Sequence, residues 1–401
     1  MTDIKTQLEQ HNDRLVPPTM DEKPTPAPDP AALAAAADKR ASLDKRSASR
    51  AWAPHLDADA VPPGYRVRGV SVLRDADGHV KLSWHKTTKE PDDPYETARQ
   101  IAEGLADGGG LRELPPIAPP DRRCDDLLSV FPLGDPHIGL YCWAEECGES
   151  FDLQTAIDQY LAVASILFKR APVGSDALII ELGDFYHADD PLYRTSSGKN
   201  VVDVDTRYGK VIPAGFDIMA TLIDAALQQH DTVRVWALRG NHDDRTTLAL
   251  RGYLQGRYHG NNRVVLDSTP GKFHFHEFGA NLIGATHGDG LKGKRARTLH
   301  EIMTLDQRPA WGRTKHAKWY VGHVHHESVE ETGGCIVETY RTLAPKDAWH
   351  TASGYRSGRD TRLEVVHREH GWIERHIVPI SEIQVAMNEA RAAATTKEPT
   401  E

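Results

Sequence analysis

No two of the four cysteines in this 401-residue chain form a C-x-x-C pair or fall at zinc-ribbon spacing. That excludes a thiol-based metal module and reads Cys124, Cys142, Cys147 and Cys335 as reduced structural residues. No apolar run reaches the roughly 18 residues that a membrane-crossing helix needs. The N-terminus also lacks a charged stretch followed by an apolar core and a cleavage site. Both absences predict a protein that stays in the cytoplasm and does not enter a membrane. Positive charge is not in excess either: the net charge is −10, so any polyanion would have to meet a local patch. With 39% hydrophobic and 26% charged residues the composition is globular with some disordered ballast. The length allows two domains, or one large α/β domain with appendages.

Residues 1–60 are rich in Ala, Pro, Asp, Lys and Arg, and bury too little apolar surface to offset the entropy of ordering. They are expected to be a tail, with one marginal helix over the Ala-rich stretch 31–49. Residues 61–120 form a second segment. There RVRGVSVL and HVKLSW flank an Asp77-Gly78 hairpin signal, and PYETARQIAEGLA reads as a helix that stops at three glycines. This small appendage is a candidate surface for a protein partner; oligomeric state is not legible. From 121 to 380 strands and helices alternate, which predicts a layered α/β domain. LQTAIDQYLAVASILFKR carries Leu153, Ile157, Tyr160, Leu161, Ala164 and Phe168 at helical spacing. A second apolar helix, 208–228, contains Pro213, which should kink it or mark its start. RLEVVHREHGWIERHIVPI reads as a closing hairpin, and 381–401 as a C-terminal tail.

Five short apolar runs in the main segment each end in a knot of Asp, Asn and His. The knots are GDPHIG (Asp135, His137), GDFYH (Asp184, His187), RGNHDD (Asn241, His242, Asp243), THGDG (His287) and GHVHH (His323, His325). Any one of them could be a turn former or a buried histidine. Five in succession predict five strands that end at one edge of a sheet, each delivering a metal-binding side chain there. Carboxylate, amide and imidazole donors without thiolate suit Mn²⁺, Fe²⁺, Zn²⁺ or Mg²⁺, with manganese as the first expectation. A carboxylate shared by two such ions about 3.5–4 Å apart would support in-line displacement by a metal-activated hydroxide. FHFHEF places His274 and His276 on one strand face, read as a solvent-side pair, and His326 reads as a neighbour of the site rather than part of it.

The order D-x-H, G-D, G-N-H-D, H and G-H-x-H resembles the calcineurin-like metallophosphoesterase superfamily, over about 127–379. The resemblance implies a four-layer α/β/β/α sandwich, here with a small N-terminal hairpin-helix appendage. It implies two divalent metal ions, the first on Asp135, His137 and His325 and the second on Asn241, His287 and His323, with Asp184 between them. It makes His242 the catalytic imidazole, oriented by Asp243. The arginine that follows the bridging aspartate in Ser/Thr protein phosphatases is absent. GDFYH is instead similar to the DNA-repair nucleases of the SbcD type and to compact phage phosphoesterases, which gives His187 an auxiliary catalytic role near the substrate phosphate. A phage origin would place the protein in the host cytoplasm.

The activity so implied is metal-dependent hydrolysis of a phosphodiester, with DNA as the first substrate. Lys292, Lys294, Arg295, Arg297, Arg308, Arg313, Lys315 and Lys318 form a basic segment that begins just after His287 and could hold a nucleic-acid backbone. Its other reading is a solvated helix face. Arg194, Lys199 and Arg207, in the insert after the second knot, are a further candidate wall. A phosphatase or cyclic-nucleotide phosphodiesterase acting on a small molecule, and a non-catalytic scaffold, are the alternatives.

Overall fold

Alternating strands and helices recur in the computed structural model, which describes residues 65–75, 77–89, 117–291, 293 and 295–395. The chain divides into two compact units, one ending at Pro91 and the other beginning at Asp92. In the first unit, β1 (Tyr65–Arg74) and β2 (Val80–Lys89) pair antiparallel. Their turn falls at Asp77-Gly78. Gly78 takes a φ of 88°, and the Asp75 carboxylate accepts from the N–H groups of Asp77 and His79. The expected tail at 1–60, its Ala-rich helix and the helix over 94–106 lie outside the described residues. The segment 117–120, grouped by sequence with the hairpin, is tied into the second unit: Arg263 donates to the Ile117 carbonyl at 2.6 Å.

The second unit runs β3 (Leu127–Leu133), α1 (Ala144–Cys147), α2 (Leu153–Arg170), β4 (Asp176–Glu181), α3 (Tyr208–Gln229), β5 (Val233–Ala237), α4 (Thr246–Arg257) and β6 (Val264–Leu266). It continues through β7 (His274–Phe278), β8 (Asn281–Thr286), α5 (Arg295–Asp306), α6 (Arg308–Arg313), β9 (His316–Val321), β10 (Ser328–Thr332) and β11 (Cys335–Thr339). It closes with α7 (Ala348–Ala352), β12 (Asp360–His367), β13 (Gly371–Pro379) and α8 (Ile380–Thr395). One sheet has the order β13-β12-β3-β4-β5-β6, with β3 to β6 parallel. The other has the order β10-β11-β9-β8-β7, with β8, β9 and β11 parallel.

Side chains that alternate along each strand explain the stacking. Val130, Ile180, Trp236, Ile283, Ala285 and Tyr320 meet between the sheets. Their neighbours Phe131, Ile179 and Val235 face the other way, against α2, α3, α4 and α8. Trp319, Val321 and Leu282 pack on Leu299 and Met303 of α5. Both sheets are therefore covered on both faces, in the order α/β/β/α. Helix α2 starts where Asp152 caps the N–H of Thr155 at 2.7 Å. Helix α3 is long and apolar enough to cross a membrane by composition, but that apolar surface is spent inside the core. Pro213 sits inside it, past the start.

Three expectations need correction. The stretch 381–395 is not a tail: it belongs to α8, whose Ile383 and Met387 are buried against the core. Ion pairs Arg170–Glu382 and Arg391–Asp158 dock it on α2. His274 does not face solvent; it is buried, 2.7 Å from Asp267 and beside the Trp236 ring. The shared face of His274 and His276 is inward because Phe275, on the other face, packs against Trp319. Burial, then Arg234, push His276 down to about 4.

The third is Lys318, only 2% exposed, which lies between the sheets rather than on a basic rim. Its ammonium sits 2.7 Å from Glu338 and 2.7 Å from Glu364. Arg375 contacts the same two carboxylates, and Arg362 contacts Glu338. This ionic network joins the two sheets, because Lys318 and Glu338 belong to one and Glu364, Arg362 and Arg375 to the other.

Candidate metal centre

The five knots lie at the carboxyl ends of β3, β4 and β5 in one sheet and of β8 and β9 in the other. A single sheet edge was expected; stacking brings two edges together, and the loops meet across them. The N–H of His137 donates to the Asp184 carbonyl at 3.0 Å. The N–H of His323 reaches Asp135 Oδ1 at 2.8 Å, and that of His242 reaches Asp184 Oδ1 at 2.7 Å. Crowding explains why glycine opens the knots. A Cβ on Gly240 would stand 2.0 Å from Asp184 Oδ1, and one on Gly183 would meet the His287 ring at 2.6 Å.

Backbone conformation marks the same residues. Asp135, His137, Asp184, His323 and His325 have φ of 39°, 48°, 53°, 72° and 55°, in the left-handed region. Asp, Asn and His visit it several-fold more often than other side-chain-bearing residues, and each visit costs about 1–2 kcal/mol. Five such residues in one place is strain that the surrounding structure must hold.

Donor atoms of the expected ligands converge in two sets. Those of Asp135, His137 and His325 lie within 4.8 Å of one another, as do those of Asp184, His287 and His323. Asn241 Oδ1 joins the second set, 3.1 Å from His287 Nε2. All seven expected ligands are therefore brought together. Asp135, His137, Asp184 and His287 form a buried floor, while Asn241, His323 and His325 are half-buried at its open side.

The electrostatics favour a divalent cation. Burial, then the electrostatic influence of neighbouring imidazoles, holds His137 well below its ordinary range and brings His325 to about 3; His323 lies at about 4. These rings are neutral and present lone pairs: His137 Nε2 and His325 Nε2 face each other at 3.1 Å. Burial would lower His287 as well, but the Asp184 and Asp135 carboxylates overcome it and raise His287 to about 10. Its Nε2 stands 3.2 Å from Asp184 Oδ2, so the pair holds a proton that a metal ion would displace. On the far side of the ring, Nδ1–H donates to the Leu182 carbonyl at 2.9 Å and fixes the orientation. Carboxylate, amide and imidazole donors without thiolate fit the two divalent ions expected.

His242 is also here, but Asp243 does not orient it. His242 Nδ1 donates to the His187 carbonyl at 2.8 Å. Buried Asp243 instead accepts from the N–H groups of Tyr186 and Gly240, at 3.0 and 3.1 Å, and so ties the second knot to the third. His187 Nδ1 meets His137 Nδ1 at 3.1 Å, and its ring stacks on His242 at 5.3 Å. His187 Nε2 is buried without a partner.

Of the basic segment, Lys292 and Lys294 lie outside the described residues. Arg295 is half-buried and close enough to contribute to the lowering of His323. Arg297 pairs with Glu301. Arg313 pairs with Glu277, and with Lys315 it precedes β9, at the end of that strand opposite His323. In the candidate wall, Arg194 pairs with Asp190.

Two features escaped the sequence reading. Glu181, inside the apolar run ALIIEL, is a buried carboxylate under the centre that accepts the Gly183 N–H at 2.7 Å. Burial, then Asp243, hold it well above its ordinary range. His350 stacks on His325 at 5.0 Å, and its only signal was the spacing Asp347-x-x-His350.

No family model and no curated protein matches the chain. Solved structures do. A predicted phosphoesterase from Streptococcus pneumoniae is 13% identical with a TM-score of 0.25, covering 63% of this chain and 98% of that one. An archaeal phosphodiesterase is 13% identical with a TM-score of 0.32, covering 63% and 99%. A purple acid phosphatase from yellow lupin is 9% identical with a TM-score of 0.30, covering 66% and 56%. The case for a function rests on the residues of the site itself.

Proposed function

We propose that the chain is a phosphodiester hydrolase of the calcineurin-like type, working with two divalent metal ions. The observation that carries this reading is the convergence of seven oxygen and nitrogen donors from five loops, five of them on strained left-handed backbone. Metal ions held there would supply Lewis acidity and a water acidified towards neutral pH. Asp135, His137 and His325 are assigned to one ion, Asn241, His287 and His323 to the other, and Asp184 to both. His242, anchored through Nδ1, keeps Nε2 for the departing oxygen of the ester, as hydrogen-bond or proton donor. His187 supports His242 and His137.

A nucleic acid is the first substrate class in this proposal, as in SbcD-type nucleases, with Arg295, close to His323, as a backbone contact. Withdrawal of Lys318 into the core, and of Arg313 and Lys315 to the far end of β9, favours a second reading: a short nucleotide diester that needs few phosphate contacts. The test crosses Mn²⁺, Mg²⁺, Zn²⁺ and Fe²⁺ with single-stranded DNA, duplex DNA, RNA, cyclic nucleotides and monoesters, with His242→Ala as control. Manganese-stimulated diester cleavage lost in the control supports the proposal. A metal-loaded protein that cleaves no phosphodiester ends it.

A further inference from the structure

We propose that the loop at residues 346–359 carries a nucleobase subsite opening directly off the metal centre. The inference rests on the phosphodiester reading, and names the group attached to the scissile phosphate.

The His325 imidazole serves two spaces. One side meets His137 in the centre; another lines a cavity of about 210 Å³ whose walls include Lys346, His350, Tyr355 and Arg356. From there a series of rings steps outwards. His350 stacks on His325 with 5.0 Å between centroids and 23° between planes. Tyr355 meets His350 edge-on at 5.0 Å, and Trp349 does the same at 5.0 Å. The series is held in place: Asp347 caps α7 and accepts from both the N–H and Nδ1 of His350, at 2.7 and 2.8 Å. Lys346 is tied to the Cys147 carbonyl.

The outer end is not covered. Trp349 is 62% exposed and Tyr355 37% exposed, although indole and phenol rings ordinarily bury most of their area. Arg356 donates only to carbonyls of its own loop, those of Tyr355 and Thr351, and meets no carboxylate among the described residues. The rest of its planar guanidinium is available to a phosphate or a base edge. Flat apolar rings beside an unneutralised guanidinium, adjoining the candidate metal centre, match the two halves of a nucleotide. The base stacks on the rings while the phosphate lies at the metals.

The experiment uses the full-length, manganese-loaded protein and compares a dinucleoside monophosphate with a dialkyl phosphodiester of equal charge. Trp349→Leu should raise KM for the dinucleotide about tenfold, keep kcat within about twofold, and leave the dialkyl ester unaffected. Trp349→Phe should restore KM, and Arg356→Gln should raise it about threefold. Calorimetry with adenosine 5′-monophosphate supplies a readout independent of turnover. Tighter binding than inorganic phosphate, weakened by Trp349→Leu, supports the subsite. Equal effects on both esters, or monophosphate binding no tighter than phosphate, overturn it. If no diester is cleaved, the reading of the centre fails, and the calorimetry still decides the subsite by itself.

Discussion

Two polar clusters are buried in this chain, and they solve the problem of buried charge in opposite ways. Between the sheets, Lys318, Arg362 and Arg375 meet Glu338 and Glu364 at 2.6–2.8 Å, and the Tyr320 hydroxyl donates to Glu364 at 2.6 Å. Cation faces anion throughout, on strand residues none of which has a positive φ. At the strand ends, by contrast, imidazole nitrogens face one another at 3.1 Å, carboxylates crowd together, and five residues sit in the left-handed region. Asp135 shows the outcome: burial, despite the opposing influence of His287, raises its carboxyl to about 7. The first cluster is complete with the chain's own charges. The second needs charge from outside, and that difference separates a structural network from a site.

Asp184→Asn should have the largest effect, lowering hydrolysis of a bis-aryl phosphate by about 10³-fold or more, with metal stoichiometry by elemental analysis falling as well. Lys318→Met should do the reverse. It would destabilise the fold by about 3–5 kcal/mol in urea titrations and leave metal content intact in the folded fraction. A Lys318→Met protein as stable as wild type would dissolve the contrast between the clusters.

Acid should separate the clusters in chelator-treated protein. His323 and His325 have folded pKa values below the unfolded 6.5, so the unfolded chain binds more protons between about pH 6.5 and 4. Each imidazole's contribution to stability should fall as pH drops through that window, by about 1.4 kcal/mol per pH unit, against the opposite contribution of Asp135, whose raised carboxyl takes up a proton in the fold below about pH 7. His325→Ala should flatten the slope. Glu364 is affected first by burial, which raises it, but Lys318 and Arg375 prevail and lower it below 4.5. Its stabilisation is present above pH 4.5 and lost below, the part that Lys318→Met should reduce. Identical pH profiles for the two variants would contradict the assignment. The smallest effect belongs to the exposed pair Arg391–Asp158, where Arg391→Ala should cost about 0.2–1 kcal/mol by thermal melting.

Much of this was legible because local chemistry repeats in the sequence. Each knot follows an apolar run and joins donor residues to a glycine, so the candidate donors stood out in the chain, and the family resemblance assigned seven of them as expected ligands. Asp77-Gly78 announced its hairpin in the same way. Helix α8 was passed over because its buried positions, Ile383 and Met387, are diluted by Ala, Glu and Arg in a terminal stretch. Asp243 was given to the adjacent His242, whereas the fold turns its carboxylate to the backbone of Tyr186, distant in sequence.

By itself, then, the sequence determined the strand ends, the donor types at them and the absence of thiolate, because these are properties of short segments. Only the tertiary structure decided that the ends come from two sheets, that Lys318 is a core cation, and that the His187 carbonyl anchors His242. It also decided that His350 lies against His325. Each is a meeting of residues far apart along the chain, and hydrogen bonding, charge pairing and stacking act over a few ångströms of space, whatever the separation in sequence.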